Sequence, residues 1–274
     1  MMSATGCSSS SEFAPPEVAP TGVTPAKAVP TEAAPAKVVP TKAAPAKVAP
    51  LDERPGSRQV VALLQDGGGY IRPGFKAIEP AEIIVYGDGL AVADADRRLR
   101  LTPADVTALV RSLRKDLVSQ PPSPTPSGSR IYDATTATLG VWTGGRTLRT
   151  ISAYALHEGY GGGKRYPDSL YHAQETLTTL ADRVRREGTG YRADRVRLVA
   201  EQRRGEKAKM TWPSQIPEPA KAEGDVLVRN LTGGQARAVI RSVARHKGLG
   251  AWPLYRDSQG RVFAMTWRFL LPSE

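Results

Sequence analysis

The residues of this chain that could carry chemistry are few and widely spaced. Cys7 is its only cysteine, and His157, His172 and His246 are its only histidines. No two histidines stand in an HxH, HExxH or HxxxH pattern, so no local spacing brings two imidazoles to one metal. A single cysteine excludes a disulfide scaffold and any cysteine-rich zinc site. The run Gly159-Tyr160-Gly161-Gly162-Gly163-Lys164 resembles a phosphate-binding loop but fails on spacing. Glu158 stands where the first glycine is required, and Arg165 stands where a Ser or Thr would hold magnesium. There is no GxSxG nucleophile elbow. Asp94 and Asp96 are close, but the glycine and glutamate of a calcium loop do not follow. Asp133 and Glu158 could meet in the folded chain, as separated carboxylates can in any protein. The expectation is a non-enzyme with no catalytic residues, no metal and no cofactor.

Two features point to binding instead. The formal charge is +11, yet residues 1–55 hold five basic and five acidic side chains, so the whole excess falls on the remainder. Between Arg183 and Lys209 there are ten basic and four acidic residues. Such a stripe attracts polyanions: nucleic acid, anionic lipid or a cell-wall polymer. Its candidate contacts are Arg203, Arg204, Lys207 and Lys209, joined by an aromatic patch from Trp212-Pro213 and Trp252-Pro253. The plain reading of the four tryptophans, Trp142, Trp212, Trp252 and Trp267, is packing in strands.

The N-terminal segment has a different character. Residues 21–50 are three near copies of a ten-residue unit, TGVTPAKAVP, TEAAPAKVVP and TKAAPAKVAP, and residues 11–20 are a degenerate fourth. Proline at every fifth position removes backbone donors and blocks helix propagation. The segment therefore reads as a disordered, polyproline-II-rich spacer over 1–57. Ahead of it stands Ser3-Ala4-Thr5-Gly6-Cys7-Ser8, the pattern of a bacterial lipoprotein cleavage site, in which Cys7 would carry the lipid. Only six residues precede Cys7, so the basic and apolar regions of a signal peptide would have to lie upstream of Met1. No stretch reaches the roughly 20 apolar residues that span a bilayer.

The elements that must position any site follow from periodicity. Thr102 caps a helix with Pro103 in its first turn, and Val106, Leu109, Val110, Leu113 and Leu117 share one face. Thr232 and Gln235 have capping-box spacing before Ala236, Val239, Ile240 and Val243, with Gly248 as the stop. These two segments align at an offset of 130: Leu101-Thr102 with Leu231-Thr232, Ala108 with Ala238, Arg111-Ser112 with Arg241-Ser242. Each helix precedes a hairpin, Thr138–Trp142 with Arg146–Tyr154 and Trp252–Arg256 with Arg261–Leu270. Strands precede the helices at Glu82–Tyr86, Arg195–Ala200 and Asp225–Arg229, and Val60–Leu64 reads as a buried strand or short helix. A third helix, Ser169 to Glu187, links the halves through the stripe Leu170, Ala173, Leu177, Leu180 and Val184. Gln120–Ser129 reads as a flexible Pro/Ser loop. The expected fold is α+β. It has two related units of antiparallel strands packed on a helix, 58–190 (with the linking helix) and 191–274.

The runs Ile84-Val85-Tyr86-Gly87-Asp88-Gly89, Leu101 to Val106, Tyr132 to Thr136, Ser152 to Leu156, Thr211-Trp212-Pro213 and Arg268 to Pro272 occur in an order that resembles a set of actinobacterial lipoproteins and secreted proteins of unknown function. The similarity covers residues 65–274 and rests on turns and caps, which say nothing about activity. It implies a location at the outer face of the cell membrane. The functional expectation is a non-catalytic, lipid-anchored binding or structural module of the cell envelope, meeting the membrane by its lipid alone. Its partner is an unknown envelope protein or cell-wall component. The alternative is a cytoplasmic protein that binds nucleic acid or another polyanion through 183–209.

Overall fold

The computed structural model describes residues 55–128, 131–157, 164–220, 224–245 and 250–274. The repeat segment up to residue 54, Cys7, Glu158 with the glycine run, His246 and Gly248 lie outside the described residues. In chain order the elements are β1 (Val60–Gly68), α1 (Pro73–Ile78), β2 (Ile83–Tyr86), β3 (Leu90–Ala93), β4 (Arg97–Arg100), α2 (Pro103–Leu117), β5 (Thr135–Gly144), β6 (Thr147–Tyr154), α3 (Asp168–Glu187), β7 (Thr189–Gly190), β8 (Val196–Gln202), β9 (Met210–Thr211), β10 (Val226–Leu231), α4 (Gly233–Ser242), β11 (Leu254–Arg256) and β12 (Val262–Phe269). A seven-stranded sheet has the order β6-β5-β1-β2-β3-β4-β7, and a five-stranded sheet has the order β10-β8-β12-β11-β9. Every pairing is antiparallel except the short parallel contact of β11 with β9. The fold is α+β with two sheets and four helices among the described residues.

Side-chain alternation explains the layering. In β2, Ile83 and Val85 face a core shared with α2 and α3, while Ile84 and Tyr86 face a second core. That second core is shared with Leu198, Phe263, Met265, Trp267 and the α4 residues Ala236 and Val239. All four β2 residues are consequently buried, as a strand covered on both faces requires. The far face of the five-stranded sheet packs Val199 and Ala264 against Phe75 and Trp252. Phe75 belongs to α1, so a helix from the first half of the sequence closes the sheet of the second half. In chain order the strands of the first sheet end at Gly190 and those of the second begin at Val196.

Both halves run strand, helix, hairpin, but the hairpins attach oppositely. In the first half the leading hairpin strand, β5, pairs with β1; in the second the trailing strand, β12, pairs with β8. The helix starts differ too. Thr102 and Asp105 complete a reciprocal capping box, with the Asp105 N–H donating to Thr102 Oγ1 at 3.1 Å. Thr232 makes no side-chain cap bond, because Gly233 begins α4 at φ +55° and turns the first helical N–H groups away from it. Nor does α4 run on toward Gly248: it ends at Ser242, Val243 is extended, and Ile240 is 39% exposed and off the buried face. The Pro/Ser segment after α2 is anchored rather than loose. Pro122 O accepts from the Ser152 N–H at 2.8 Å, and Ser127 exchanges backbone and guanidinium bonds with Arg165. It thereby covers the outer edge of β6, an otherwise open template for strand pairing.

Candidate functional site at the end of the first sheet

The sequence of β1 changes from Val60-Val61-Ala62-Leu63-Leu64 to Gln65-Asp66-Gly67-Gly68, so its far end leaves the core as a polar strand. β5 begins and β6 ends beside it, since Gly68 pairs with Thr135 and Thr136 pairs with Tyr154. Helix α3 crosses this face. Together they form a groove of about 610 Å³ lined by Asp66, Glu82, His157, Tyr171, Gln174, Glu175, Thr178 and Thr179. His157 Nε2 lies 2.7 Å from Asp66 Oδ1, and the Gln174 amide contacts the opposite ring nitrogen. The imidazole therefore bridges β1 and α3.

The groove is acidic within a basic protein. Burial raises the pKa of Glu82, with the charges of Asp66 and Asp94 adding to it and Arg185 opposing. Burial likewise raises that of Glu79, again with help from Asp66. Arg185 limits the accumulation by meeting Asp94 at 2.8 Å, Asp182 at 2.9 Å and Glu82 at 3.4 Å. Among the described residues, no group of three His, Cys, Asp or Glu side chains is placed to hold a metal ion. With a partner on each ring nitrogen, a neutral His157 donates from one and accepts at the other, so both its proton positions are engaged. The arrangement orients side chains and presents carboxylates and hydroxyls.

Sequence reasoning missed this pairing because Asp66 and His157 are 91 residues apart and neither sits in a motif. The only signal was the abrupt loss of apolar character along β1. His172 is separate: on α3, it bonds Asp116 of α2 at 2.7 Å. A larger cavity of about 660 Å³ lies by Tyr86, Tyr191, Asp88 and Arg195. Burial pushes the Tyr86 phenol up to about 12, and it hydrogen-bonds with Ser273, which marks it as a packing contact.

The residues chosen from sequence do not come together. Trp212 and Trp252 are buried, on opposite faces of the five-stranded sheet, and form no surface patch. Trp212 stacks edge-on with Phe263 and donates to Ile216 O at 2.8 Å, while Trp252 tilts over Phe75 at 4.7 Å. Their size and apolarity make them worth more in the core than at the surface. The basic stripe is interrupted as well. Strand β8 separates Arg195 from Arg203 by a rise of roughly 26 Å, and carboxylates neutralise much of each end. Arg183 meets Glu187, Arg203 meets Glu201 and Arg204 meets Asp225. Lys207 and Lys209 remain exposed, on the connection from β8 to β9. No helix of the described residues is long and apolar enough to cross a membrane. Compared with protein-family models, with curated proteins and with solved structures, the chain matches none of them.

Proposed function

We propose that this chain is a non-catalytic binding module of the cell envelope, anchored by lipid on Cys7 and held away from the membrane by its repeat. The observation that carries the reading is the succession of Ser3-Ala4-Thr5-Gly6-Cys7 and the Pro/Ala/Lys decapeptides over residues 21–50. Fully extended, residues 14–50 would reach on the order of 115 Å at about 3.1 Å per residue. Lipidation of Cys7 entails a signal segment upstream of Met1. The groove beside His157 supports binding, because carboxylates and hydroxyls line its open face. The partner is an envelope protein or a cell-wall component.

The test is a Cys7→Ser substitution in the native host, read by fractionation. The parent chain belongs in the membrane fraction and the variant in the soluble one. Equal distribution of the two would remove the tether. The alternative, nucleic-acid or polyanion binding, draws its support from the exposed Lys207 and Lys209. It requires an affinity that falls steeply with salt and is lost when Arg203, Arg204, Lys207 and Lys209 become glutamine.

A further inference from the structure

Two tyrosines stand out from every other large apolar side chain described. Tyr70 is 96% exposed and Tyr132 is 77% exposed, whereas Val228, the next, is 46% exposed. They sit on loops that touch. A Cβ placed on Gly69 would lie 3.3 Å from Asp133 O, so the backbones preceding Tyr70 and following Tyr132 are in contact. The Tyr132 loop is fixed from below. The Tyr154 hydroxyl accepts from the Ala134 N–H at 3.0 Å and donates to Ile131 O at 3.1 Å, while the Tyr166 hydroxyl donates to Tyr154 O at 2.8 Å. Asp133 is held at φ +60°, a left-handed conformation that aspartate adopts at some cost. Beneath the loop lies a cavity of about 510 Å³ lined by Pro126, Ile131, Tyr132, Asp133, Tyr154 and Arg165. Arg165, from this lining, donates from Nε to Ser127 O at 3.0 Å.

We infer that this tyrosine rim is a sugar-binding site that takes a pyranose chain. An exposed phenol ring on a pinned loop offers a flat apolar face at little entropic cost, and the C–H face of a pyranose matches it. The exposed Asp133 carboxylate can only accept hydrogen bonds, which suits sugar hydroxyls. It does not suit a proline-rich peptide, whose backbone offers carbonyls and few donors. The inference rests on reading the folded region as a binding module, and it narrows the ligand from any envelope component to a glycan.

The experiment titrates the full chain, made without lipid, with tetra-N-acetylglucosamine and with cellotetraose, by calorimetry and by NMR. At least one tetrasaccharide binds the parent chain, and the Tyr70→Ala/Tyr132→Ala variant binds it about tenfold or more weakly. The melting temperature stays put, because both rings are exposed, and Asp133→Asn, which keeps the left-handed backbone accessible, also weakens binding. Three outcomes overturn the inference: no tetrasaccharide binds the parent, the double variant binds as well as the parent, or only polyphosphate or a synthetic peptide of residues 21–50 binds at the rim. A chain that binds glycan through these tyrosines yet carries no lipid in its host keeps the site and refutes the tether. A lipidated chain that binds no sugar does the reverse.

Discussion

Replacing Glu274 by alanine tests how the end of the chain is held to the second sheet. Its carboxylate receives two hydrogen bonds from Arg268, at 2.6 and 2.7 Å, and one from the Leu271 N–H at 2.9 Å, and Arg197 Nη1 lies 3.3 Å away. The Arg268 side chain is 6% exposed and that of Glu274 22%. Removing one partner of a buried pair costs about 3–5 kcal/mol, chiefly because the other charge stays buried. Arg268 keeps its bonds to Ile78 O at 2.8 Å and Phe269 O at 3.1 Å, and Glu274 is partly solvated, which places the cost near the lower limit. For a folded region of this size, about 3 kcal/mol lowers the melting temperature by roughly 6–12 °C. The pH dependence carries a definite sign. Burial works to raise the Glu274 pKa, but the hydrogen bonds from Arg268 and Leu271, with the charges of Arg268 and Arg197, outweigh it and hold it below the usual value. A depressed carboxyl contributes stability above its unfolded pKa and loses it as the pH falls through the folded one. The gap between parent and variant is therefore widest near neutrality and closes in acid below the ordinary carboxylate range. Thermal melts followed by circular dichroism across that range measure it. A variant melting within about 1 °C of the parent at neutral pH, or a gap that persists unchanged in strong acid, would refute the reasoning.

Three further outcomes follow from the same contacts. Glu82→Gln flattens the pH dependence of stability. A carboxyl whose folded pKa is raised by burial, as here, gains stability as the pH falls through that value toward its unfolded one, and urea midpoints from neutral to about pH 5 show the parent gaining relative to the variant. Thr102→Ala costs about 1 kcal/mol by loss of its cap, whereas Thr232→Ala, with no cap bond to lose, stays within about 0.5 kcal/mol in denaturant titration. Trp212→Phe destabilises by about 1 kcal/mol more than Trp252→Phe in the same assay. The first strands the Ile216 carbonyl, whereas the second removes an indole N–H that has no hydrogen-bond partner.

Legibility followed the range of the interaction that decides each feature. Helix α2 could be read end to end because a Thr-Pro-x-Asp start and a regular apolar face are local signals. The end of α4 could not: the break at Val243 follows from that side chain turning into the core between the sheets and from Trp267 Nε1 donating to its carbonyl at 2.8 Å. Helix α1 went unread because six residues between two prolines carry no period, and its place is set by Phe75 meeting Trp252 far along the chain. The β3–β4 hairpin was likewise hidden. Its turn uses Asp94 and Ala95 at positive φ in place of glycine, held by Arg185 on Asp94 and by Arg245 on Asp96. Asp133 drew notice in the sequence as a carboxylate in search of a partner. Its actual neighbours, Tyr154, Arg165 and the exposed ring of Tyr132, are gathered by sheet register and loop packing, which no spacing along the chain encodes.

The most direct test of the central claim is the mass of the chain's N-terminal peptide after isolation from its native host. The tethered-module account predicts a mature chain that begins at Cys7 with a diacylglycerol group on its sulfur, recovered from the membrane fraction. An unmodified peptide beginning at Met1 or Met2, recovered from the soluble fraction, would contradict it and turn attention to the exposed lysines of the β8–β9 connection.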